Sequence, residues 1–175
     1  TDLMVLPIEG SEASGWKPGE PKGFLTTPAT ETYPMFSPDG RWLAYASDES
    51  GGNEVWVRPF PGQGTKWQIS RGGAAIGTLW SRTRNELFYM TPGQQIMVVS
   101  YAVDHDVFLA DQPQLWSDAR FMRRPRQMSI ALHPDGARFA VAAAAGAEAA
   151  ANQGKLVFVF NFFDELRRIA PVQRN

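Results

Sequence analysis

Apolar residues along this chain occur in short aromatic and β-branched runs, each bounded by a cluster of Gly, Pro, Asn, Asp or Ser. That punctuation predicts many short β-strands and leaves little room for helix. The runs also repeat. Ser37-Pro38-Asp39-Gly40-Arg41-Trp42-Leu43-Ala44-Tyr45 lies 44 residues before Ser81-Arg82-Thr83-Arg84-Asn85-Glu86-Leu87-Phe88-Tyr89. A third copy, His133-Pro134-Asp135-Gly136-Ala137-Arg138-Phe139-Ala140-Val141, follows after a further 52 residues. Each copy is a polar turn leading into an apolar strand. A second series trails the first: Glu54–Val57, Gln95–Val99 and Lys155–Val159, joined by Asp2–Leu6 at the start, which has no turn and strand before it. A period of 40 to 50 residues with several strands per unit predicts β-propeller blades.

The turn has a local cause. Pro presets φ at the first central position, the Asp side chain accepts backbone N–H bonds, and Gly supplies the positive φ that returns the chain to a strand. Ser47–Asn53 is equally turn-rich and joins the next two strands. The middle copy replaces Pro-Asp-Gly with Arg82-Thr83-Arg84-Asn85, yet Trp80 and Tyr89 bracket it in the same phase as Phe36 and Tyr45. The fold expected is therefore all-β: a partial propeller of about three and a half four-stranded antiparallel blades. An incomplete blade spans 2–27, with its strands near 2–8 and 23–27. Full blades follow at about 33–70, 76–117 and 127–163. The extra residues of the longer offset are expected as loops near Asp104-His105-Asp106 and over 119–127. The Ala-rich stretch 142–151 has helix propensity but is read, in phase with the repeat, as a strand end and loose hairpin. A short helix over 163–170, closed by Pro171, ends the chain.

Composition narrows the chemistry. The chain has 175 residues, 43% hydrophobic, with six Trp and no Cys, which excludes disulfides and thiol catalysis. Net charge is −1, so no global field attracts polyanions, and nucleic acid is not an expected partner. No apolar run is long enough to cross a membrane as a helix. The start does not resemble a secretory leader and is read as an internal boundary or processing site. No Gly-x-Ser-x-Gly elbow occurs. His133 occupies the Ser position of a structural turn, and His105 lies between two Asp residues on an expected loop tip. Asp48, Asn53 and Glu54 are oxygen ligands in principle, but turn chemistry explains them more simply than Ca²⁺. Gly62-Gln63-Gly64 lacks the Lys-Ser/Thr and helix start of a phosphate loop. No catalytic residue, cofactor or metal site is expected. Trp42, Trp56, Trp67 and Trp80 are read as packing residues, with Trp67 or Trp80 the candidates to edge a channel.

One charge concentration stands out. Arg120, Arg123, Arg124 and Arg126 fall in seven residues interleaved with Phe121 and Met122. Guanidinium groups make bidentate contacts with carboxylates, so this segment is the candidate binding patch for an acidic protein or peptide. A solvated loop with local ion pairs is the plainer alternative.

Phe36-Ser37-Pro38-Asp39-Gly40, continuing through Asp48 and on to Val57, resembles the TolB-type, WD-like propeller repeat. Val57–Gly62, Lys66–Ser70, Gly72-Gly73, Trp80-Ser81 and the ending Val159–Leu166 are similar to C-terminal propellers of bacterial proteins, many carrying an upstream serine/threonine kinase domain. Where that subgroup has Asn-Trp, this chain has Asn161-Phe162. The resemblance implies a non-catalytic sensor or scaffold module, with extracytoplasmic placement favoured. Its alternatives are a periplasmic propeller that binds envelope proteins, and a gating propeller of a peptidase whose catalytic domain lies elsewhere. Rings of this type usually have six or more blades. The chain is therefore expected to be the C-terminal part of a longer propeller, with a self-contained arc or half of a ring completed by self-association as the alternatives.

Overall fold

The computed structural model describes residues 1–62, 64–72, 76–121 and 130–141, all within the unit Thr1–Ala143. Fifteen strands occupy the described residues, and no helix is found among them. In chain order the first eight are β1 (Leu3–Val5), β2 (Ile8–Ser11), β3 (Gly15–Pro18), β4 (Lys22–Leu25), β5 (Glu31–Phe36), β6 (Trp42–Ser47), β7 (Glu54–Pro59) and β8 (Trp67–Gln68). The others are β9 (Ile76–Trp80), β10 (Glu86–Met90), β11 (Ile96–Asp104), β12 (Val107–Ala110), β13 (Gln114–Ser117), β14 (Ile130–Leu132) and β15 (Phe139–Val141). The protein is all-β, built from several antiparallel sheets. The expected strand at Lys155–Val159, the Ala-rich hairpin and the helix over 163–170 lie outside the described residues.

Four strands make the sheet β5-β6-β7-β8. The next sheet runs β9-β10-β11, with β13 paired to the first half of β11 and β12 to its second half. A pair, β1 with β4, precedes them, and a pair, β14 with β15, follows. The loop expected at Asp104-His105-Asp106 is the two-residue tip of the β11–β12 hairpin. Tyr101, Val103 and Phe108 give this segment the period-two pattern of a strand pair, which is why it pairs rather than loops out. Likewise the stretch between β1 and β4 is a second hairpin, β2–β3, that the sequence pattern did not reveal.

The sheets stack, and each interface is a separate core. Leu3, Phe24, Leu25, Leu43 and Tyr45 pack between β1/β4 and the β5–β8 sheet. Trp42, Ala44, Val55, Val57, Leu87, Tyr89 and Phe108 fill the next interface. Leu79, Phe88, Met90, Ile96 and Ile130 fill the one after it. Period-two geometry divides each central strand between two cores: along β10, Leu87 and Tyr89 face one side and Phe88 and Met90 the other. Both faces of β6 and β10 are buried, so these strands read as continuous apolar runs rather than strict alternation. Large side chains carry these cores; fully burying one stabilises by about 1.5–3 kcal/mol.

The repeated turns close alike. The N–H groups of Ser37, Ser81 and His133 donate to the carbonyls of Trp42, Glu86 and Arg138, each five residues on. Gly40 and Gly136 sit at φ 72° and 70°, the left-handed values the turn demands. In the middle copy the Ser81 hydroxyl accepts from the N–H groups of Thr83 and Arg84, supplying the order that Pro-Asp-Gly supplies elsewhere. The correspondence extends to backbone irregularities. Register shifts in β5 and β9 leave Tyr33 at φ 54° and Gly77 at φ 69°, 44 residues apart like the turns that follow them.

Candidate functional site

The first strands of three successive sheets come together. The Thr78 hydroxyl donates to the Tyr33 carbonyl at 3.1 Å, and Trp80 Nε1 donates to the Met35 carbonyl at 2.9 Å. On the far side β14 packs against β9. Where these strands meet their turns they line a groove of about 540 Å³. Met35 and Phe36 come from β5, Leu79 and Trp80 from β9, and Leu132 from β14; Ser37, Pro38 and Arg82 come from the turns.

Each wall is held in place by its own local chemistry. Ser37 is buried; its hydroxyl donates to Asp39 Oδ1 at 2.5 Å and accepts from the Trp42 N–H at 2.9 Å. Partial burial pushes the Asp39 carboxyl up, but the bonds from Ser37 and the Arg41 N–H, with the Arg41 charge, outweigh it and leave the pKa below its usual value. The next turn is tied to the third. Arg84 donates to Glu86 at 2.9 Å and to the Gly136 carbonyl at 2.6 Å, while the Thr83 hydroxyl donates to the Asp135 carbonyl at 3.3 Å. The groove is thus apolar along its floor, with Phe36 46% exposed and Trp80 6% exposed. Exposed Arg82 stands at its rim.

Of the predicted binding arginines, Arg120 is exposed just beyond β13, and Arg123, Arg124 and Arg126 lie outside the described residues. The neighbouring Phe121 N–H donates to the Gln94 carbonyl at 2.9 Å, and its side chain packs against the third core. Trp42 and Trp80 are buried, whereas Trp56 and Trp67 are half-buried. Trp80 serves both core and groove. His105 is exposed, with Nδ1 2.7 Å from Asp104 Oδ1. His133 Nδ1 accepts the Asp135 N–H at 3.2 Å, the bond a turn Ser would make. Asp48 accepts the Thr30 N–H at 2.7 Å. Buried Glu54 ties β7 to the segment after β8 through Ser70 Oγ and the Gly72 N–H. Among the described residues no three His, Asp or Glu side chains gather as a metal site.

Sequence reasoning missed Met35, Leu79 and Leu132 as groove residues, because each reads as an ordinary strand apolar. It also missed Phe108, although Tyr101–Asp104 and Val107–Ala110 around a two-residue tip carry the hairpin pattern. Compared with known proteins, the chain matches no family model and no curated sequence.

Proposed function

We propose that this chain is a non-catalytic interaction module, an arc of β-propeller blades that binds a protein or peptide partner in the groove between its first strands. The observation that carries the reading is the convergence of β5, β9 and β14, each opening an antiparallel sheet and each leading into a turn closed by the same backbone bond. Sheets stacked through separate cores, with first strands gathered on one groove, fit the radial arrangement of blades around a channel. The function follows as display. The stacked sheets form a rigid frame, and the groove residues meet the partner without first having to be ordered. Phe36, Leu79 and Leu132 would receive apolar side chains, and Arg82 would pair with a carboxylate. Arg120, Arg123, Arg124 and Arg126 lie on the sequence leading into β14, and extend the cationic contribution in this reading.

The test is selection of displayed peptides against the chain, followed by competition and substitution. Selected peptides should carry an acidic residue beside an apolar one, and Arg82→Glu should weaken them at least tenfold. Binders indifferent to both Arg82→Glu and Phe36→Asp would refute the groove. Turnover of a bound peptide by the chain would refute the non-catalytic assignment.

A further inference from the structure

The β2–β3 hairpin is inserted at the same place as the β11–β12 hairpin, and among the described residues only the second is packed into a neighbouring core. Leu3, Met4 and Val5 pair with Leu25, Gly23 and Lys22, with a register shift after Leu3. Ile96, Met97 and Val98 pair with Ser117, Leu115 and Gln114, with the same shift after Ile96. Three residues beyond Val5 and Val98, the hairpins begin at Ile8 and Tyr101. Gly10 faces Trp16 in the first hairpin, and Val103 faces Phe108 in the second. Thus Ile8 corresponds to Tyr101 and Trp16 to Phe108, each pair on one face of its hairpin.

The second hairpin latches onto the sheet before its own. Phe108 is 1% exposed; its ring stacks on Tyr101 at 4.8 Å and meets Trp42 at 5.3 Å and Trp67 at 6.1 Å. The Arg41 guanidinium, from the first turn of that preceding sheet, donates to Asp106 at 3.1 Å and to the His105 carbonyl at 2.8 Å. In the first hairpin, Ile8 is 71% and Trp16 64% exposed, and its three-residue tip also carries an acid, Glu12, though not at the position of Asp106. Large apolar side chains grouped on one face and left in water mark a docking surface.

We propose that the β2–β3 hairpin latches onto one further antiparallel blade, placed before β1 in the same ring, that offers an indole slot at the start of its second strand and an arginine in its first turn. The proposal rests on the propeller reading. A second copy of the chain does not fit as occupant. Its own slot at Trp42 and Trp67 is filled by Phe108, and the positions matching Trp42 in the two later repeats are Glu86 and Arg138.

The experiment joins a copy of residues 31–94 to Asp2, so that Leu3–Val5 follows the copied β10 as Ile96–Val98 follows the original. Melting temperatures are then compared for Trp16→Ala and Phe108→Ala in the 175-residue chain and in the extended one. Trp16→Ala should shift the original chain by less than about 1 °C and the extended chain by at least about 6 °C, while Phe108→Ala lowers both. An extended chain that resists protease along its whole length, yet responds to Trp16→Ala no more than the original, would overturn the latch and leave the propeller reading standing. If protease trims the added segment back to Asp2, the propeller reading fails and the latch with it. No loss on Phe108→Ala in the original chain would also overturn the latch, because the internal precedent would then carry no energy.

Discussion

Phe108 is the most informative residue to perturb, because two kinds of interaction join its hairpin to the preceding sheet and their sizes differ. The ring is 1% exposed and lies among Trp42, Trp67, Trp80 and Tyr101. Truncating such a residue to Ala removes its transfer energy and leaves a cavity, together costing about 3–5 kcal/mol. The polar contact beside it, Arg41 with Asp106, has side chains 51% and 97% exposed, and pairs of that kind contribute only about 0.2–1 kcal/mol. The aromatic contact therefore decides whether the hairpin stays down. Against a typical total of about 5–15 kcal/mol, Phe108→Ala would remove a large share of stability. With a urea slope of about 2 kcal/mol/M, the midpoint should fall by roughly 1.5–2.5 M. Tryptophan fluorescence reports the transition, since three indoles surround the ring. Leu109→Ala is the control: the neighbouring residue is 51% exposed and its loss should stay within about 0.5 kcal/mol. Equal midpoints for the two variants would refute the packing argument. So would a larger loss from Arg41→Ala than from Phe108→Ala.

Other outcomes follow from the turns, the phenols and the arginines. Gly136→Ala drives a methyl into Thr83 Oγ1 on top of a φ of 70°; in urea titration it should cost at least twice the loss of about 1 kcal/mol expected for Gly40→Ala, whose methyl meets nothing. Burial, with Glu49 nearby, pushes Tyr45 up to about 12, and burial beside Glu54 does the same for Tyr89. These folded-state values lie above the unfolded value of 10.0, so the stability held by the neutral phenols is complete below pH 10 and is lost as pH rises through 12; tyrosinate absorbance followed alongside unfolding checks the window. Arg123→Glu with Arg124→Glu should abolish binding of an acidic peptide while moving the melting temperature by less than about 2 °C, as calorimetry and a binding titration would show.

The sheet-forming pattern was legible because its determinants are local. Ser37-Pro38-Asp39-Gly40 encodes its own closure, and the matched phase of Trp42–Tyr45 and Glu86–Tyr89 places equivalent residues in equivalent cores. The Arg82–Asn85 turn could be read only through its neighbours, since its order comes from Ser81 and from Arg84 and Thr83 reaching Gly136 and Asp135, contacts 52 residues away in sequence. The two inserted hairpins were missed for a different reason, although β11–β12 carries a short alternating pattern around its tip. Their strands are four residues or fewer beyond the main pairing, and in β2–β3 every residue is exposed, so no buried stripe announces it. The groove was partly legible: Trp80 was a channel candidate, while Met35, Leu79 and Leu132 carry no mark in composition and become a site only when three strand ends meet.

Trp80 and Thr78 do not reach for side chains on β5; they donate to the carbonyls of Met35 and Tyr33. Those acceptors belong to the backbone, and every amino acid brings the same one. A substitution at either position leaves the acceptor in place so long as the bulge keeps its shape. Tyr33 and Met35 can therefore be replaced without removing the acceptors that join the two sheets, whereas Thr78 and Trp80, the donors, cannot. The turn after β9 reads Arg82-Thr83-Arg84-Asn85 where the turn after β5 has Pro38-Asp39-Gly40, and the joint between the two sheets forms all the same.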